Sequence, residues 1–182
     1  EAIRVNSQSG KGGVGFLLEE HYGINLPREL LVEFASMVQQ LTEELDREIK
    51  TTEIYDTLAT NYIVDTGPYK LIDYDLLSGK GENQRCVARV EISHNLVAIN
   101  GEGSGPIEAF VNAMADTLNE PIVVLDYREH SLGTGTDAQA ICVLAIEDNV
   151  NKKRFYGIGL SRNTITASLT AIVSALNRRC NA

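Results

Sequence analysis

A chain of 182 residues can hold one ample domain or two small ones, and its 43% hydrophobic content is ordinary for a globular protein. A formal net charge of −9 disfavours nucleic acid and anionic membrane as partners. No apolar stretch approaches the roughly 20 residues a membrane helix needs, and the N-terminus lacks the charged-then-apolar layout of a secretion signal.

From the N-terminus, Gly10-Lys11-Gly12-Gly13 reads as an exposed turn followed by a short apolar run. Consecutive backbone N–H groups and a lysine suit an anion, but the Walker spacing is absent, so a structural turn is expected. Pro27 suits the first turn of a helix. Leu30, Phe34, Val38, Leu41 and Leu45 then recur at spacings of three and four, one face of an amphipathic helix. A shorter helix is expected from about Thr52, with Ile54, Leu58 and Tyr62 on one side. Asp65-Thr66-Gly67-Pro68 punctuates the chain, which turns to a strand pattern beyond it.

From there the chain states one pattern twice. Residues 70–77 read as a strand carrying Asp73-Tyr74, Cys86, Ala88, Val90 and Ile92 alternate as a half-buried strand, and Leu96 to Ile99 makes a third. A Gly-rich step with Gly101 and Gly103 leads into a helix opened by Pro106, with Ile107, Phe110, Val111, Met114 and Leu118 inward. The second copy runs from Ile122 to Tyr127, from Ala138 to Ile146 and from Phe155 to Leu160. Gly157 and Gly159 supply its Gly-x-Gly step, and Ile165, Leu169, Ile172, Val173 and Leu176 face inward on a helix from about Thr164. Strands joined by short turns favour antiparallel pairing, and two strand-strand-strand-helix units should pack on each other. The fold class expected is therefore α+β: an N-terminal helical subdomain, residues 1–66, then a duplicated βββα domain with pseudo-twofold symmetry, residues 67–182, its units spanning about 67–119 and 120–182.

Three places invite chemistry. Asn100 to Pro106 leads from a strand into a helix start, where unpaired N–H groups and the dipole attract a carboxylate; glycine there serves either the close approach of a small ligand or a tight turn alone. Asp126 to His130 gathers acid, base and imidazole, with Asp126, Arg128 and His130 expected on one strand face and Tyr127 with Glu129 on the other; a polar strand end is expected over a metal site. Leu132 to Asp137 reads as a flexible turn able to act as a lid. Cys86, Cys142 and Cys180, odd in number and far apart, fit reduced thiols in a cytoplasmic protein.

The blocks IRVNSQSGKGGVGFLL, LPRELLVEF, NGEGSGPIEAFVNAMADTL, VLDYREHSLGTGTDAQA and GIGLSRNTITASLTAIVSALNR resemble, in order, the C-terminal third of the 2-isopropylmalate synthase family. That family forms 2-isopropylmalate from acetyl-CoA and 3-methyl-2-oxobutanoate, the first committed step of leucine biosynthesis. The resemblance implies a helical linker followed by a leucine-binding regulatory domain of two βββα units. It places a metal-dependent acyltransferase TIM barrel upstream in the same polypeptide, so the chain is expected to be part of something longer and inactive alone. It implies L-leucine as a ligand, feedback inhibition and a homodimer; no cofactor, catalytic residue or metal ligand is expected in this chain, the divalent metal belonging to the barrel. Carried over by motif, the leucine residues are Gly103, Ser104, Gly105, Glu108, Tyr127, Ser131 and Ala138. Gly-Ser-Gly stands here where many members have Gly-Asn-Gly, and Ser131 where some have Ala. The Gly10 to Gly13 turn is the candidate hinge for coupling to the barrel. Two other readings stay open: a citramalate synthase regulatory domain sensing isoleucine, and a free-standing amino-acid-binding dimerisation module.

Overall fold

The computed structural model describes residues 4–5, 10–133 and 135–182, and in it the chain divides into two compact units. One runs up to Val64 and takes in Ser131–Ala138; the other comprises Asp65–His130 and Gln139–Ala182.

The first unit is helical. Strand β1 (Arg4–Val5) pairs antiparallel with β2 (Ile49–Lys50), and around them lie α1 (Gly10–Tyr22), α2 (Arg28–Leu45) and α3 (Thr51–Leu58). Gly10 to Gly13 is thus not the exposed turn expected, nor a hinge loop, but the opening of α1. Ile3 and residues 6–9 of that opening block lie outside the described residues. Each glycine costs a helix about 1 kcal/mol relative to alanine. Burial of Val14, Leu17 and Leu18 offsets it, because tertiary packing of an apolar face outweighs propensity. At Gly15 the missing side chain is itself useful, since a Cβ there would stand 2.9 Å from Leu31 Cδ2 on α2.

The expected stripe on α2 holds for Leu30, Phe34 and Val38, which are buried. It then departs. Thr42 is buried instead, its hydroxyl donating to the Val38 carbonyl at 2.9 Å, while Leu45 is exposed. Ile54, Leu58 and Tyr62 all go inward as spaced. Tyr62 is carried by a π-helical turn (Ala59–Ile63) after α3; its ring meets Phe34 edge-on at 6.2 Å and its hydroxyl donates to Glu33 at 2.8 Å.

The second unit bears out the α+β reading. Strands β3 (Tyr69–Ser78), β4 (Gln84–Ile92) and β5 (Asn95–Gly103) form one antiparallel sheet in that order, followed by α4 (Pro106–Leu118). Strands β6 (Val124–Leu132), β7 (Gln139–Glu147) and β8 (Arg154–Ser161) form a second, followed by α5 (Thr164–Cys180). Cys86, Ala88 and Val90 of β4, Ile99, Phe110, Met114, Leu144, Ile172 and Leu176 share one core, so the two repeats do bury each other. Two features tie them further. The buried Asn177 amide on α5 donates to the Tyr69 carbonyl at 2.9 Å and accepts from its N–H at 2.9 Å, acting as one more ladder step on β3. The Asn181 amide donates to the Thr66 carbonyl at 2.8 Å.

The glycine step expected as a loop is not one. Gly101 and Gly103 are the last residues of β5, and they are glycine because α4 lies against them: a Cβ on Gly101 would stand 2.5 Å from the Ala113 nitrogen and 2.6 Å from the Ala109 carbonyl oxygen. Gly159 faces Ala167 and Ala171 of α5 in the same way. These contacts fix the register of the duplication, and it differs from a pairing of the two Gly-x-Gly steps. With Gly101 laid on Gly159, Ile107, Ala109, Ala113, Leu118 and Asn119 fall on Ile165, Ala167, Ala171, Leu176 and Asn177. Gly103 then falls on Ser161, Gly157 on Ile99, and Phe110 on Ser168.

Candidate functional site

The candidate residues fall into three groups. Gly103, Ser104, Gly105 and Glu108 are together at the junction of β5 and α4. Gly103 is buried against the helix, where a Cβ would meet the Ala109 nitrogen at 2.7 Å. Gly105 is the residue before α4, in extended backbone, and open space surrounds the position a Cβ would take. The Ser104 hydroxyl donates to the Glu108 carboxylate at 2.6 Å. No side chain caps α4, so the N–H groups of its first turn carry the positive end of the helix dipole beside an exposed carboxylate. That pairing of backbone donors with Glu108 suits the two charged groups of a free amino acid.

The repeat-related junction of β8 and α5 is closed. There Asn163 caps the helix, accepting from the Thr166 N–H at 3.0 Å, and the Tyr74 hydroxyl from β3 lies 2.6 Å from Thr166 Oγ1. The two junctions share geometry, but only the first leaves its donors uncapped.

Tyr127, on β6, forms the second group, with a different helix. The residue is 42% exposed, while its hydroxyl donates to Glu129 at 2.8 Å and lies 2.8 Å from Ser168 Oγ on α5. Partial burial, with the Glu129 carboxylate adding to it, pushes the phenol up to about 12. Beneath it, burial pushes the Cys142 thiol up to about 11. Tyr127 and Glu129 do share a strand face, as alternation predicts. Asp126 departs from regular strand geometry with a φ of 53°, and its carboxylate accepts from Arg154 at 2.7 Å and from Tyr156 at 3.1 Å. In the first repeat Asp73 is also paired, but with the neighbouring strand β4, where Arg89 Nε donates to it at 2.8 Å.

Ser131 and Ala138 form the third group. Ser131 ends β6 beside Leu132, and Ala138 follows a 3-10 turn (Gly135–Asp137), its N–H donating to Gly135 at 3.4 Å; both belong to the helical unit. Thr134, in the turn expected as a lid, lies outside the described residues. Ser168 had no signal in the chain's own periodicity; it becomes visible only when the repeats are aligned through their glycines and a serine falls on a core phenylalanine. Among the described residues no cluster of three or more His, Cys, Asp or Glu side chains is placed to hold a metal ion, and no helix is long and apolar enough to cross a membrane.

Residues 48–180 match the family described as LeuA allosteric (dimerisation) domain. The chain belongs to that family. It is 41% identical over 180 residues to the 2-isopropylmalate synthase of Agrobacterium fabrum and 40% identical over 179 residues to that of Rhizobium meliloti. The 2-isopropylmalate synthase of Brucella suis biovar 1 is 39% identical over 179 residues. Each comparison covers 97% of this chain and 32% of the relative, so the chain spans about a third of the length of the curated relatives it matches. The LeuA allosteric domain match includes both βββα repeats, α3 and the π-helical turn, and stops short of α1 and α2.

Proposed function

We propose that this chain is the effector-sensing, dimer-forming part of a 2-isopropylmalate synthase, binding L-leucine for feedback inhibition in the cytoplasm. The observation that carries the reading is the LeuA allosteric domain match over residues 48–180, together with 2-isopropylmalate synthases that align with 97% of the chain. On this reading the carboxylate of leucine takes the uncapped N–H groups at the start of α4, and Glu108 and Ser104 meet its ammonium. Gly105, bare of a side chain, lets the ligand reach the backbone. Tyr127 contributes an apolar ring with a fixed hydroxyl; Ser131 and Ala138 enter through the resemblance alone. Acyl transfer, with its divalent metal, belongs to the two thirds of those relatives that lie outside the match, in a TIM barrel of the same polypeptide. Inhibition is then a coupling free energy of about 1–3 kcal/mol between effector and barrel.

Calorimetric titration of the chain with L-leucine, and with L-isoleucine as comparison, tests this directly, alongside sedimentation to read the oligomeric state. Saturable uptake that prefers leucine in a dimer is expected. Preference for isoleucine moves the chain to the citramalate synthase branch, and no uptake of either by a folded dimer overturns the effector reading.

A further inference from the structure

We propose that Ser168 is a positioning residue of the effector site: its hydroxyl, together with the Glu129 carboxylate, fixes the Tyr127 phenol that the ligand meets. The inference rests on the effector-binding reading above and adds the residue that sets how Tyr127 is presented.

The first observation is one of place. Ser168 is 1% exposed, and the repeat register sets it on Phe110, a residue wholly buried in the shared core. A helix face built for packing alone uses a large apolar side chain there, as α4 does. At the matching point α5 carries a small polar one, and the Tyr127 hydroxyl comes in from β6 to meet it at 2.8 Å. A buried hydroxyl needs a partner, since an unpaired one costs about 1–3 kcal/mol. Tyr127 supplies it.

The second observation is the proton count. Tyr127 and Ser168 bring one hydroxyl proton each. The acceptors within reach are the Glu129 carboxylate, 2.8 Å from the phenol and 3.5 Å from Ser168 Oγ, the Thr164 carbonyl, 3.1 Å from Ser168 Oγ, and the two hydroxyl oxygens themselves. When Tyr127 donates to Glu129 and Ser168 donates to the Thr164 carbonyl, no proton lies between the two hydroxyls; two arrangements put one there. In one, Tyr127 donates to Glu129 and Ser168 donates to the phenol oxygen. In the other, Tyr127 donates to Ser168, and Ser168 donates to the Thr164 carbonyl one turn back along α5. The Ser168–Tyr127 bond is made in both of these and is absent where Glu129 and Thr164 take the two protons, so the serine holds the ring through that one bond. It also stands on a helix whose Ala167, Ala171 and Ala175 are locked against β8, which makes it the fixed member of the trio.

The test is a double-mutant cycle on leucine affinity, read by calorimetry with the wild-type chain, Ser168→Ala, Tyr127→Phe and the double variant, each checked for folding by thermal unfolding. Ser168→Ala is expected to weaken leucine about 3–10-fold, the worth of one hydrogen bond. In the Tyr127→Phe background the same change should alter affinity by less than about 2-fold, because the serine acts only through the phenol. Glu129→Gln, at an exposed position, is expected to show the same dependence on Tyr127 and stands in if Ser168→Ala does not fold. Equal losses in both backgrounds, or none in either, overturn the positioning role and leave the effector reading intact. A wild-type chain that takes up no leucine overturns both.

Discussion

Gly101 and Gly105 stand four residues apart and do opposite things. The first is glycine because a helix backbone occupies the place of its side chain; the second is glycine with open space around it. Gly101→Ala is therefore expected to cost about 1–3 kcal/mol or more, since backbone must shift, while Gly105→Ala changes stability by about 0.5 kcal/mol or less. Denaturant unfolding of the two variants checks this, and similar losses at both would contradict the packing assignment. A second prediction concerns Cys142, whose thiol burial raises from 9.0 to about 11. The fold favours the neutral thiol, so this contribution is complete below pH 9.0 and is lost as pH climbs through about 11. The wild type should lose stability over that window faster than Cys142→Ala, by up to about 1.4 kcal/mol per pH unit. Parallel stability–pH curves for the two proteins would refute the shift.

At the scale of elements, α5 joins the repeats through Asn177, whose amide completes two hydrogen bonds to the Tyr69 backbone. Removing it leaves the half-buried Tyr69 N–H and carbonyl without that partner, so Asn177→Ala is expected to cost about 1–3 kcal/mol, measurable by urea unfolding. A loss under about 0.5 kcal/mol would show that water replaces the amide at no cost. The elements themselves were legible where period and burial agree. The alternation of Cys86, Ala88 and Val90, and the spacing of Leu30, Phe34 and Val38, told strand from helix because each side chain has one apolar place to go. Helix α1 was not legible. Its Gly10 to Gly13 opening carries a turn's local preference, and only burial of Val14, Leu17 and Leu18 overrides it. Strand β5 was read too short for the related reason that glycine signals a turn and close packing with the same letter. Of the candidate site, the run from Asn100 to Pro106 could be marked from its place before a helix, while Glu108 entered through the resemblance. The hydroxyl exchange between Tyr127 and Ser168 could not, because it joins residues far apart in the chain.

At the scale of the molecule, the duplication was visible as a rhythm of strands and helices, but its register came only from contact between glycine and helix. The boundary between the two units carries a consequence for how the protein can be taken apart. The chain changes unit after Val64, again after His130, and back after Ala138. The helical unit is therefore completed by a segment threaded out of the middle of the sheet unit, and three covalent tethers join them where one linker would serve. A protease that nicks the chain between Val64 and Asp65 severs one tether, and the C-terminal fragment keeps Ser131–Ala138, a part of the other unit's fold. Neither unit can be released whole by a single cut, and a truncation beginning at Asp65 carries with it Ser131–Ala138, a segment that groups with the unit left behind.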